Sequence, residues 1–191
     1  MLALLLALAG CGGDDVKAGD LHGTVVDPPF TVAEDTLVDT DGDDFSLTSS
    51  TDKRLTLVFF GYTNCPDICG VVMGNLASAM TRLDERDREQ VEVVFVTTDP
   101  ERDTGEALRS YLDRYDKSFL GVTGPIDEII AVAKSVAVGV GDKLPTGGYE
   151  VDAHSTQVTA IDSEDEAPMF WSQTTSSKQF ADDIHTLLGE P

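Results

Sequence analysis

A chain of 191 residues with 41% hydrophobic content is long enough for one domain with a substantial core. Its 13 Lys and Arg stand against 35 Asp and Glu, a formal net charge of -22, which repels phosphate backbones and argues against nucleic acid as a partner. The acidity reads as a solvated, self-repelling surface rather than a specific docking patch.

Leu2 to Ala9 is an apolar run long enough for the core of a signal peptide and too short to span a bilayer. It ends in Leu8-Ala9-Gly10-Cys11, which resembles the lipobox of bacterial lipoproteins. That resemblance implies a signal peptide over residues 1–11 and a lipidated Cys11, and it accounts for the odd cysteine among three. Only Met1 precedes the run, so a basic segment is expected upstream of this start. Export of this kind sets Cys65 and Cys69 outside the cytoplasm, where two thiols close unless they are kept reduced or metallated.

Residues 12–27 show little periodicity and read as a flexible tether, with His22 expected in solvent. The folded domain is expected over 28–191. Phe30-Thr31-Val32 and Phe45-Ser46-Leu47 flank an Asp41-Gly42 turn signal and predict a β-hairpin. The acidic residues 39, 41, 43 and 44 lack the glutamate that closes an EF-hand loop, so turn chemistry accounts for them better than calcium.

Leu55 to Phe60 is a short apolar run rich in strand formers and reads as a buried strand. It delivers Cys65-Pro66-Asp67-Ile68-Cys69, after which Val72, Leu76, Ala79 and Leu83 have helical spacing. With Cys65 opening the first turn and Cys69 one turn later, four residues rotate about 400° and rise roughly 6 Å. Both sulfurs then face one side, at a helix N-terminus that favours thiolate. Such a pair can bind a soft metal, exchange with a disulfide or close as a structural disulfide. The three-residue gap argues mildly for a metal over a Cys-x-x-Cys redox motif. Met73 and Met80 read as core.

Val91 to Val96 reads as a second buried strand, and strand, helix, strand in this order favours a right-handed parallel crossover. Asp99-Pro100 is a turn at the strand edge where α/β proteins place ligands. Asp103 with Glu106 looks like an N-cap pair opening a helix through Leu108, Tyr111 and Leu112. Phe119 to Thr123 predicts a third strand, and Pro125 suits the first position of a helix with Ile126, Ile129, Ile130 and Ala133 on one face. Residues 139–148 read as a Gly-rich loop with no phosphate-binding signature. Tyr149 to Ile161 reads as a strand interrupted near His154, Phe170-Trp171 as a last strand, and Lys178 to Leu188 as a closing helix with His185 at its surface.

Four stretches then point the same way. Phe60-Gly61-Tyr62-Thr63-Asn64-Cys65-Pro66-Asp67-Ile68-Cys69, Asp99 to Thr104, Phe119 to Gly124, and Val151-Asp152-Ala153-His154-Ser155 resemble, in order, the motifs of the Sco/SenC copper proteins. The resemblance implies an α/β, thioredoxin-like fold with an added N-terminal β-hairpin. It also implies copper, Cu(I) or Cu(II), on Cys65, Cys69 and His154. Two thiolates and an imidazole suit that soft ion, whereas a structural zinc site usually wants a fourth protein ligand. The family commonly has Pro where this chain has Gly70, and Asp directly before His where Ala153 intervenes.

As an expectation, the protein is a metallochaperone anchored at the outer face of the cell membrane. It would take copper from a donor protein and deliver it to the apo copper subunit of cytochrome c oxidase, and it need not be an enzyme. The alternative is a thiol–disulfide oxidoreductase acting on the cysteines of that subunit, with Cys65 and Cys69 as attacking and resolving thiols. Metal binding needs His154; exchange does not. Peroxide reduction fits less well, because Arg102 is not obviously placed to serve the attacking thiol.

Overall fold

The protein is described from a computed structural model that covers residues 21–143, 149–151 and 156–189. In chain order it forms β1 (Thr24–Thr31), β2 (Leu37–Asp39), β3 (Asp44–Phe45), β4 (Leu55–Gly61), α1 (Ile68–Met80), α2 (Glu85–Arg88), β5 (Val91–Thr97) and α3 (Gly105–Leu112). There follow β6 (Leu120–Thr123), α4 (Ile126–Ser135), β7 (Val140–Lys143), β8 (Tyr149–Val151), β9 (Val158–Asp162), β10 (Glu166–Trp171) and α5 (Ser177–Gly189). One sheet has the order β1-β10-β9-β4-β5-β6-β2-β3, and β7 and β8 pair separately.

β4, β5 and β6 run parallel, joined by helical crossovers, while β9 pairs antiparallel with β4 on the other side. A strand covered on both faces must be apolar on both, and β4 is buried throughout. Alternation then sends Leu55, Leu57 and Phe59 into one core with α1, α3 and α5, and Val58 and Phe60 into a second core with α4. The parallel register pairs Gly61 with Thr97, so β4 and β5 end together and open one edge of the sheet.

Several expectations are corrected. The hairpin is formed by β2 and β3, with Gly42 at φ +91° and Asp39 accepting from the Asp41 and Asp43 N–H groups. Phe30 and Thr31 instead end β1, which pairs with β10 at the opposite edge. β1 also begins at Thr24, inside the stretch read as tether. The reason lies 160 residues away in the chain: the buried Asp183 carboxylate accepts from Gly23 N–H, His22 N–H and Trp171 Nε1–H. The His22 ring itself is exposed.

Pro125 stands at the N-cap of α4, one position earlier than expected. Val140 to Lys143, read as loop, pairs as a strand with β8. α1 stops at Met80, and Leu83 is buried from the turn beyond it. Thr104, not Asp103, caps α3 by accepting from the Ala107 N–H.

Candidate metal centre

Cys65 and Cys69 lie where β4 gives way to α1, both as free thiols. Cys69 is the second residue of the helix and is 4% exposed. Cys65 precedes the helix rather than opening it, because Pro66 disfavours helical backbone at the residue before it. It ends a tight turn in which Cys65 N–H donates to the Tyr62 carbonyl at 3.1 Å. Its sulfur still reaches the helix start, accepting from the Cys69 N–H at 3.4 Å. The N-cap residue, Asp67, makes no side-chain capping bond.

This arrangement makes the two thiols unequal. The Cys69 thiol donates to Cys65, and the backbone N–H groups of Asp67, Cys69 and Ile68 add to it, so the Cys65 pKa falls to about 6 despite partial burial. Cys69 is pushed up, first because it is the donor in that bond and then by its burial. Near neutral pH the pair therefore holds a Cys65 thiolate beside a Cys69 thiol.

The walls are aromatic and close. A Cβ at Gly61 would stand 3.0 Å from Cys69 Sγ, so only glycine leaves that sulfur its present room. Phe95, Tyr111 and Tyr115 pack in succession with tilted rings, centroids 5.4 and 5.3 Å apart, and a Cβ at Gly70 would stand 3.2 Å from the Tyr115 hydroxyl. The departure at Gly70 thus gives Tyr115 space beside α1. Burial pushes the Tyr111 hydroxyl pKa up. In the sequence Tyr111 read only as a helix-face residue, and Tyr115, beyond the end of α3, carried no periodic signal that set it at the site. Met73 and Met80 are buried in the core, as expected.

The Asp99 to Thr104 segment borders the site. Thr98 donates its N–H to the Gly61 carbonyl at 2.6 Å, tying it to the end of β4. Arg102 pairs with the buried Asp99 carboxylate. The β7–β8 hairpin docks on the same segment: Tyr149 N–H donates to the Thr98 carbonyl at 3.1 Å, and Lys143 Nζ meets Glu101 at 2.5 Å. His154 and Cys11 lie outside the described residues. His185, exposed as expected, has a partner that the sequence did not disclose. Its Nδ1 lies 2.5 Å from the buried Asp87 carboxylate, which raises its pKa and pins α5 to α2.

A mixed sheet with two thiols between the end of a central strand and the start of the next helix defines a protein of thioredoxin-like fold. The family model described as SCO1/SenC matches residues 24–189, and the chain belongs to the SCO1/SenC family. The bovine mitochondrial SCO2 homolog is 32% identical over 131 residues, 67% of this chain and 49% of the relative. The chain spans 32% to 61% of the length of the curated relatives it matches. Among solved structures, the copper-bound ScoI of Arabidopsis thaliana superposes with a TM-score of 0.74 at 26% identity, covering 83% of this chain and 98% of that one. The apo Sco1 protein of Thermus thermophilus gives 0.75 at 27%, covering 87% and 96%.

Proposed function

We propose that this protein is an extracytoplasmic, membrane-anchored copper-binding protein that acts as a metallochaperone in maturing the copper centre of cytochrome c oxidase. The observation that carries the reading is the reduced Cys65–Cys69 pair, presented at one sheet edge with one sulfur held as thiolate. Thiolate sulfur suits Cu(I), and a site with few protein ligands leaves the ion open to exchange. The copper-bound relative of the same fold supports this assignment.

His154 is the third proposed ligand. Its described neighbours in sequence support the assignment: Tyr149 is tied to Thr98 at the end of β5, and Val158 pairs with Phe59 near the end of β4. The described ends of that stretch thus lie near the ends of β5 and β4, the strand from which the cysteine turn departs. For the anchor, the support is the lipobox-like Leu8 to Cys11 stretch; among the described residues no helix is long and apolar enough to cross a membrane. The thiol asymmetry favours a second reading, thiol–disulfide exchange with Cys65 as the attacking sulfur and Cys69 as the resolving one.

The deciding experiment is copper loading under reducing conditions of a Cys11→Ser chain, beside the same chain carrying Cys65→Ser or His154→Ala. One copper per chain, lost or sharply weakened in both variants, is expected. A parent chain that retains no copper, yet cycles Cys65 and Cys69 readily against a dithiol, would overturn the copper reading in favour of exchange.

A further inference from the structure

We propose that Asp103 is a positioning residue for the thiol pair: its buried carboxylate grips Thr63 at two points and so fixes the turn that presents Cys65. This rests on the reading of Cys65 and Cys69 as the working site. Asp103 is 0% exposed. Its Oδ2 accepts from the Thr63 N–H at 2.9 Å and its Oδ1 from the Thr63 hydroxyl at 2.5 Å. Thr63 is the second residue of the Tyr62–Cys65 turn, closed by the Cys65 N–H bond to the Tyr62 carbonyl. Holding both the backbone and the side chain of one central residue leaves that turn little freedom.

The carboxylate is itself anchored. Its Oδ2 also accepts from the Thr97 hydroxyl at 2.6 Å, and that hydroxyl accepts from the Asp99 N–H at 2.9 Å. The Asp103 N–H donates to the Asp99 carbonyl at 2.9 Å. Thr97 is the last residue of β5, in register with Gly61. Asp103 therefore references the cysteine turn to the ends of the two central strands. An ordinary capping role does not explain it, because Thr104 caps α3 and Asp103 points away from that helix start into the network. The Thr98 to Glu101 part of the same segment carries the β7–β8 hairpin. One short segment thus holds the thiol turn on one side and the strand leading toward His154 on the other.

The test uses the Cys11→Ser chain with Asp103→Asn, Thr63→Val or Thr63→Ser. Asn keeps the size of Asp103 but loses its charge, and its NH₂ group must face either the Thr63 hydroxyl, which then accepts instead of donating, or the Thr63 N–H and Thr97 hydroxyl that the carboxylate now receives. Val keeps the shape of Thr63 and removes its hydroxyl, and Ser restores the hydroxyl. Two readouts are taken: the rate at which dithiobis(nitrobenzoate) modifies Cys65, and the sulfur-to-copper charge-transfer band of the Cu(II)-loaded chain. Asp103→Asn and Thr63→Val are expected to change the rate, shift the band and weaken copper retention, on the order of 10- to 100-fold for a residue that orients a ligand. Thr63→Ser is expected to behave as the parent.

Parental rates and spectra in folded Asp103→Asn and Thr63→Val chains would overturn the proposal, as would a Thr63→Ser chain as impaired as Thr63→Val. Where Asp103→Asn does not fold, the Thr63 pair decides. A parent chain that binds no copper removes the copper function but not this inference, because the thiol rates still test it.

Discussion

Cys65 stands two residues before the N-cap of α1, yet its sulfur takes a helix-start N–H as a capping serine, threonine or aspartate usually does. Its sulfur takes the Cys69 N–H, and the Cys69 thiol then supplies the largest part of its shift from the ordinary 9.0 to about 6. Alkylation by iodoacetamide, which follows the thiolate, is expected to titrate with a midpoint near 6, and Cys69→Ala is expected to move that midpoint upward. The sign for folding follows: with its folded pKa below the unfolded one, Cys65 contributes stability above pH 9, and this is lost as pH falls through about 6. At this scale both cysteines were legible because their spacing follows an apolar strand. The start of the helix was not, since the Val72, Leu76, Ala79 period is indifferent to one turn more or less. Pro66 held the missing signal. Asp103 failed differently: Asp before a helix reads as a cap, and only its tertiary partners Thr63 and Thr97 show that the carboxylate is engaged elsewhere.

Strand β1 illustrates the same limit for an element. Its closing residues Phe30 and Thr31 were legible, with Val32, as extended chain, but period-2 patterning does not name a partner, and the nearest run in sequence was taken for it. The true partner, β10, comes more than a hundred residues later, and the position of β1 is set by Asp183. That carboxylate is 1% exposed and serves Trp171, His22 and Gly23 together. Asp183→Ala leaves those donors without their acceptor and is expected to cost about 3 kcal/mol, read as a lower denaturant midpoint. Early proteolysis near Thr24 is expected to accompany it. Asp183→Asn, which keeps one acceptor oxygen, is expected to lose less.

For the whole molecule, the alternation of strand and helix from β4 to β6 was enough to identify a parallel α/β core, because both faces of those strands had to be apolar. The antiparallel return of β9 and β10 was not contained in any local pattern. Charge acts at this scale too. A formal -22 spread over one domain repels itself, and added salt shortens the reach of that repulsion from about 30 Å at 0.01 M to about 3 Å at 1 M. The melting temperature is therefore expected to rise with sodium chloride over that range, and a flat or falling trend would show that the acidic surface is already neutralised within the fold.

The unequal depth of the two sulfurs has a kinetic consequence. Cys69 is buried against Gly61 in the core that also holds Phe95 and Tyr111, whereas Cys65 is only half-buried. An arriving group meets the outer sulfur first and the inner one second. A bulky thiol reagent is therefore expected to modify Cys65 well before Cys69, and equal rates at the two sulfurs, read by mass spectrometry, would show that the inner one is as open as the outer.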